Sequence, residues 1–122
     1  MANPDFTDEN VTEYVNDLSL DGLKSLVDDM NDDFDKAFED RFNVSQNQEG
    51  SLSQTPSFFK ANITSAFEDL LRVRREGAQA VFSAEGLDYG SATGQSMEQS
   101  DVTIEVSHAP DCTWTVSITI TK

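Results

Sequence analysis

A chain of 122 residues with 23 acidic against 8 basic side chains carries a formal charge of −15, yet 37 % of it is hydrophobic, including eight phenylalanines. That length builds one domain around a single modest core, so residues 1–122 are read as one acidic unit. The charge excludes nucleic acid and anionic membrane as principal partners, because both demand clustered Lys and Arg, and the hydrophobic content excludes charge-driven disorder.

Met1 to Phe6 read as a frayed start without the basic and apolar runs of a leader, and no stretch approaches the roughly 20 apolar residues of a membrane span. Cys112 is the only cysteine, so no disulfide joins the chain to itself, and a soluble, unprocessed, intracellular protein is expected. Thr7 or Asp8 caps a short helix that carries Val11, Tyr14, Val15 and Leu18 at helical spacing.

The strongest pattern runs from Ser19 to Phe42. With Leu23 at the origin of a helical wheel, Leu26, Val27, Met30, Phe34, Ala37 and Phe38 fall within roughly 60° of it. Asp28, Asp32, Asp35 and Glu39 gather on the opposite side, flanked by Asp29, Asp33 and Asp40. Ser19 is placed to cap the first amides, Leu18 and Leu23 to form a hydrophobic staple, and Asp21 to meet the positive end of the dipole. The spacing predicts one unbroken helix, apolar inside and anionic outside.

Asn43 to Thr55 changes to Ser, Gln, Asn and Gly without period, which reads as a loop that lets the next helix return antiparallel. Thr55-Pro56 then supplies a cap and a first helical residue, and Phe59, Ile63, Ala66, Phe67, Leu70 and Val73 mark an apolar stripe to about Arg75. Gly77 weakens any continuation by about 1 kcal/mol relative to Ala. From there Gln79 to Ala84 fits a helix end and a strand equally well, and Gly86 to Ser100 reads as a second loop. Ala37-Phe38-Glu39-Asp40 recurs as Ala66-Phe67-Glu68-Asp69, an echo too short to be a repeat.

Beyond Ser100 the period becomes 2. Val102, Ile104 and Val106 alternate with Thr103, Glu105 and Ser107, and after His108-Ala109-Pro110-Asp111 the alternation resumes as Trp114, Val116, Ile118 and Ile120. Directly opposed residues share a face, so Val106 is expected to face Cys112 or Trp114, and Cys112 to point inward with Trp114 as an inert thiol.

Each candidate for chemistry has a plainer explanation. Asp29, Asn31, Asp33, Asp35 and Asp40 match positions 1, 3, 5, 7 and 12 of a calcium loop, but Phe34 stands where that loop turns on glycine, and the apolar period runs through it. His108 and Cys112 fall short of the four ligands of a structural zinc site. Arg72, Arg74 and Arg75 lack a phosphate loop beside them and are assigned to pairing with Glu68, Glu76 or the acidic helix. Asn62-Ile63-Thr64 matches a glycosylation sequon but sits in a helix.

These patterns predict an α+β fold, with two long amphipathic helices as an antiparallel pair and a short N-terminal helix, packed against a C-terminal antiparallel β-hairpin. No cofactor, metal or catalytic group is assigned. The expected function is that of a small acidic assembly or structural subunit, of a virion or of the cytoplasm of an organism living in high salt, which would account for only four lysines. The alternative is an inhibitor, immunity protein or secretion chaperone whose stripe Asp28, Asp32, Asp35 and Glu39, about 16 Å long at about 1.5 Å per residue, grips a basic partner protein. The final strand is long, free of proline and uncharged until Lys122, so it is read as an unguarded edge, with Thr113, Thr115, Ser117, Thr119 and Thr121 outward. Either residues 78–90 supply a covering strand within the chain, or the edge is paired by a second copy in a homo-oligomer or by strand addition to a partner.

Overall fold

In the computed structural model, which describes residues 3–43, 57–86 and 101–121, Thr7 opens the first helix, α1 (Asp8–Asp17), by accepting a bond from the Asn10 amide at 3.2 Å. Residues before it are anchored. Phe6 is buried against Phe38 and Phe42, its amide bonds Asn43 O at 3.2 Å, and Asn43 N bonds Pro4 O at 2.7 Å. The frayed start is therefore corrected at Pro4 to Phe6: an aromatic ring with its own pocket holds them.

Ser19 caps α2 (Leu20–Asp32) by accepting from Gly22 N at 3.1 Å. The single helix expected over Ser19 to Phe42 is broken at Asp33. That residue adopts an extended conformation, φ −153° and ψ 96°, closes α2 by donating to Asp29 O, and caps α3 (Phe34–Glu39) by accepting from Lys36 N at 3.2 Å. Aspartate competes for backbone amides in this way better than it propagates a helix. The apolar period conceals the break because Phe34, Ala37 and Phe38 still reach the core.

Beyond Asn43, the expected loop and the Thr55-Pro56 start lie outside the described residues, as does 87–100 of the second loop. Helix α4 (Ser57–Arg75) carries Phe59, Ile63, Ala66, Phe67, Leu70 and Val73 inward and ends at Gly77, whose φ of 86° stops the helix. Asn31 meets Glu68 and Asp35 meets Lys60, so α2 and α3 run past α4 in the opposite sense.

After Gly77 the chain forms β1 (Gln79–Glu85), followed by β2 (Asp101–His108) and β3 (Thr113–Thr121). The sheet order is β1-β3-β2, with β1 parallel and β2 antiparallel to β3. The final strand is thus the central one, which corrects the edge assignment of Thr113 to Thr121: the antiparallel β2-β3 pair is present, and β1, within the 78–90 segment weighed as a covering strand, is added beside β3. One face, with Ala80, Phe82, Ala84, Val116 and Ile118 buried, packs on α4, while α1 lies along β1. Those buried residues and the apolar faces of the helices form one continuous cluster.

Val106 opposes Val116 and His108 opposes Trp114, which keeps the expected face but shifts the register. The turn makes the difference. Ala109 O accepts from Cys112 N, Ala109 N donates to Thr113 O, and Cys112 takes φ 72°, a tight turn followed by a left-handed bulge residue. The bulge leaves Thr113 N to Asp111 Oδ1, which accepts it at 3.1 Å. Cys112 is exposed as a result, so the inward thiol is corrected.

Candidate functional site

The break at Asp33 decides what becomes of the acidic stripe. Asp28, Asp32 and Glu39 are exposed, Asp28 within 3.0 Å of Lys24 Nζ. Asp35 turns toward α4, where Lys60 Nζ lies 2.8 Å from its Oδ1, both side chains only 23 % exposed. That oxygen is closed to solvent and lacks a well-directed hydrogen bond, so the lysine charge is its compensation. Lys60 also lies 5.8 Å from the centre of the Phe34 ring. The four carboxylates of the stripe therefore divide into three in solvent and one committed to packing.

Around the break, Asp29, Asp32, Asp33 and Asp40 border a shallow cavity of about 100 Å³ together with Lys36. Two of these acids are matched by bases. Arg41 donates to Asp29 Oδ2 at 2.9 Å and to Ala37 O at 2.7 Å, and Lys36 lies 3.5 Å from Asp40. Burial opposes the charge on Arg41, but hydrogen bonds with Asp29 and Tyr14 outweigh it and raise its pKa above that of a free arginine. Among the described residues no group of His, Cys, Asp and Glu is disposed to hold a metal ion.

The arginines at the end of α4 separate in the same way. Arg72 lies 3.9 Å from Asp69 and 3.8 Å from Glu76, both loose surface pairs. Arg74 instead donates, among the described residues, to carbonyls: Nε to Ala80 O at 3.2 Å, and Nη1 to Val15 O and Leu18 O at 3.4 and 3.3 Å. Burial lowers its pKa from the ordinary arginine value. One guanidinium so ties the end of α1 to the start of β1, a role its sequence position beside Arg72 and Arg75 does not announce.

That tie belongs to a larger device on the β1 edge. Asn16 presents its side-chain amide to Phe82 as a neighbouring strand would: Nδ2 donates to Phe82 O at 3.0 Å and Oδ1 accepts from Phe82 N at 2.7 Å. Asp8 Oδ2 accepts from Gly86 N at 2.7 Å, and Arg74 holds Ala80 O. Peptide groups in a strand alternate sides, so residues 80, 82 and 84 direct theirs away from β3, and α1 with Arg74 satisfies this edge at three points along it. Sequence patterning missed all three side chains because each is an ordinary polar residue on a helix.

The β2 edge is different. Because Ala109 and Thr113 are a hydrogen-bonded pair, the alternation makes 107/115, 105/117 and 103/119 bonded pairs and leaves 108/114, 106/116 and 104/118 unbonded. The peptide groups of Ile104, Val106 and His108 therefore point out of the sheet. Among the described residues β3 is the only strand that pairs with β2, and the outward groups have no strand beside them. Apolar surface reaches this edge too: Val106 is 37 % exposed, with Ile104 and Trp114 half-buried beside it. On the other side of the sheet the same strand shows Thr103, Glu105 and Ser107, next to the half-buried hydroxyls of Thr115, Ser117 and Thr119.

His108 stacks on Trp114 with ring centres 4.6 Å apart, and Cys112 sits in the turn, so hairpin geometry accounts for the only histidine and the only cysteine. No helix of the described residues is long and apolar enough to cross a membrane. No family model, curated protein or solved structure matches this chain at a significant level.

Proposed function

We propose that this chain is a non-enzymatic interaction or assembly subunit that works by adding a strand of a protein partner to its sheet. The unequal edges carry the reading: Asn16, Asp8 and Arg74 satisfy the backbone of β1, while β2 directs the peptide groups of Ile104, Val106 and His108 outward beside exposed apolar surface. Strand addition thus moves from Thr113–Thr121, where the chain alone suggested it, to Asp101–His108. The acidity suits a subunit of a virion or of a high-salt cytoplasm, and the partner is another protein and neither nucleic acid nor membrane.

Amide exchange joined to light scattering tests this. The amides of Ile104, Val106 and His108 should exchange freely in a dilute monomer while those of Thr115, Ser117 and Thr119 are protected. Protection of all six in a monomer would refute the reading. The second reading, an inhibitor or chaperone that holds a basic protein on its acidic helices, is favoured by the exposure of Asp28, Asp32 and Glu39. Neutralising those three would abolish partner capture under that reading and leave it intact under strand addition.

A further inference from the structure

We infer that the segment received at the β2 edge comes from a different protein and alternates basic with apolar residues. This rests on strand addition at β2 and names the chemistry of the strand that fits there. A strand laid beside β2 sends alternate side chains to the two faces of the sheet. Those on the α4 face meet Val106, Ile104 and the half-buried Trp114, and apolar residues fit them. Those on the other face stand beside Thr103, Glu105 and Ser107, all exposed, and of these three Glu105 alone carries a charge. A lysine or arginine opposite it gains a cross-strand pair, and an acid there is repelled.

A second copy of this chain is the poorer occupant. Antiparallel pairing of two β2 edges has two registers of longest overlap. One sets Ile104 against Val106 of the copy, which puts the two Glu105 residues directly opposite. The other sets Ile104 against its own counterpart, which leaves the two Glu105 residues as diagonal neighbours on one face. Either register also brings together two chains of charge −15 each. A basic segment meets the reverse situation, since the same field draws it in and raises its rate of encounter.

The probes are two capped peptides of about ten residues, one alternating lysine with valine and the other glutamate with valine, titrated into the labelled protein at moderate salt. The lysine peptide should bind at least about tenfold more tightly and should slow exchange at Ile104, Val106 and His108. Overall charge alone gives some preference for it, so the variants carry the decision. Glu105→Lys should cut the preference by about tenfold, whereas Glu13→Lys, an equal charge change on α1, should leave it within about twofold of wild type. Val106→Pro removes an outward amide and spares the ladder to β3, so it should abolish the protection. If that variant unfolds, the Glu105→Lys comparison still decides.

Equal effects of the two lysine variants, or binding of neither peptide, would overturn the inference while leaving open-edge exchange, and so the proposed function, standing. Protection that appears with rising protein concentration alone would assign the edge to a second copy and overturn the inference in the same way. Lysine-peptide shifts confined to residues 28–39 would overturn it in favour of the acidic helices. Protection of the outward amides in the free monomer would overturn both the inference and the strand-addition reading.

Discussion

At the scale of single residues, two positions show backbone requirements met in opposite ways. Cys112 holds φ 72° in the hairpin turn, a left-handed conformation that costs an L side chain about 1–2 kcal/mol. Glycine would remove that cost and add about 0.5–1 kcal/mol of chain entropy to the unfolded state. Cys112→Gly should therefore stabilise the protein by about 0.5–1 kcal/mol, read as a rise of a few degrees in melting temperature, and Cys112→Val should lower it. Asn16 shows the other case. Its amide satisfies both the N–H and the C=O of Phe82, so Asn16→Ala leaves two partly buried backbone groups without partners and should cost about 2 kcal/mol in urea unfolding. Asn16→Asp keeps the acceptor and loses the donor. Its carboxyl regains a donor only when protonated, so the folded state raises its pKa, and the stability it contributes is present at low pH and lost as pH rises. The gap between this variant and wild type should narrow as pH falls from 7 toward 4.

At the scale of elements, the termini matter more than the interiors. Asp33 ends α2 and starts α3, with a bond on each side. Asp33→Ala should cost about 1 kcal/mol, and Asp33→Asn, which keeps an acceptor, should recover most of it in the same unfolding assay. Gly77 ends α4 at φ 86° with nothing within 4 Å of an added Cβ, so the cost of Gly77→Ala, about 1 kcal/mol, is backbone strain without a clash. The apolar periods of the helices and the alternation of β2 and β3 were legible because each burial face repeats a bulky side chain. The break at Asp33 was hidden because the hydrophobic repeat continues across it. β1 was hidden for a different reason: Ala80 and Ala84 flank Phe82 on its buried face, and alanine is small and a good helix former, so the alternation is faint. Missing β1 is what turned the central strand into an edge, and the side chains that close the new edge could not be sought until that strand existed.

At the scale of the whole molecule, the charge of −15 acts against the helices that hold the fold together. Neither α1 nor α2 has a basic residue in its last turn, where a cation would complement the dipole, and Asp29 and Asp32 stand there instead. Asp28 and Asp32 are one turn apart, as are Glu9 and Glu13, and Glu13 and Asp17, and like charges so spaced cost about 0.2–0.5 kcal/mol each. Opposing ion pairs exist, but those on the surface, such as Lys24 with Asp28 and Arg72 with Glu76, contribute about 0–1 kcal/mol apiece and are screened equally. Among the described residues only Lys60 with Asp35, covered on both sides, and Arg41 with Asp29, covered on the arginine side, hold a substantially buried partner that salt reaches less well. Repulsion is thus mostly exposed, and the most protected attractions are not. Raising salt from about 0.1 to 1 M shortens the screening length from about 10 to 3 Å, and unfolding in urea should show stability rising by on the order of 2 kcal/mol. Among the described residues no base pairs with Asp32 at the end of α2, so Asp32→Asn should stabilise the protein at low salt and lose that advantage at 1 M. A stability that stays flat or falls with salt, or an Asp32→Asn gain that persists at 1 M, would show that the covered ion pairs outweigh the surface repulsion and that the acidity does not act through screening.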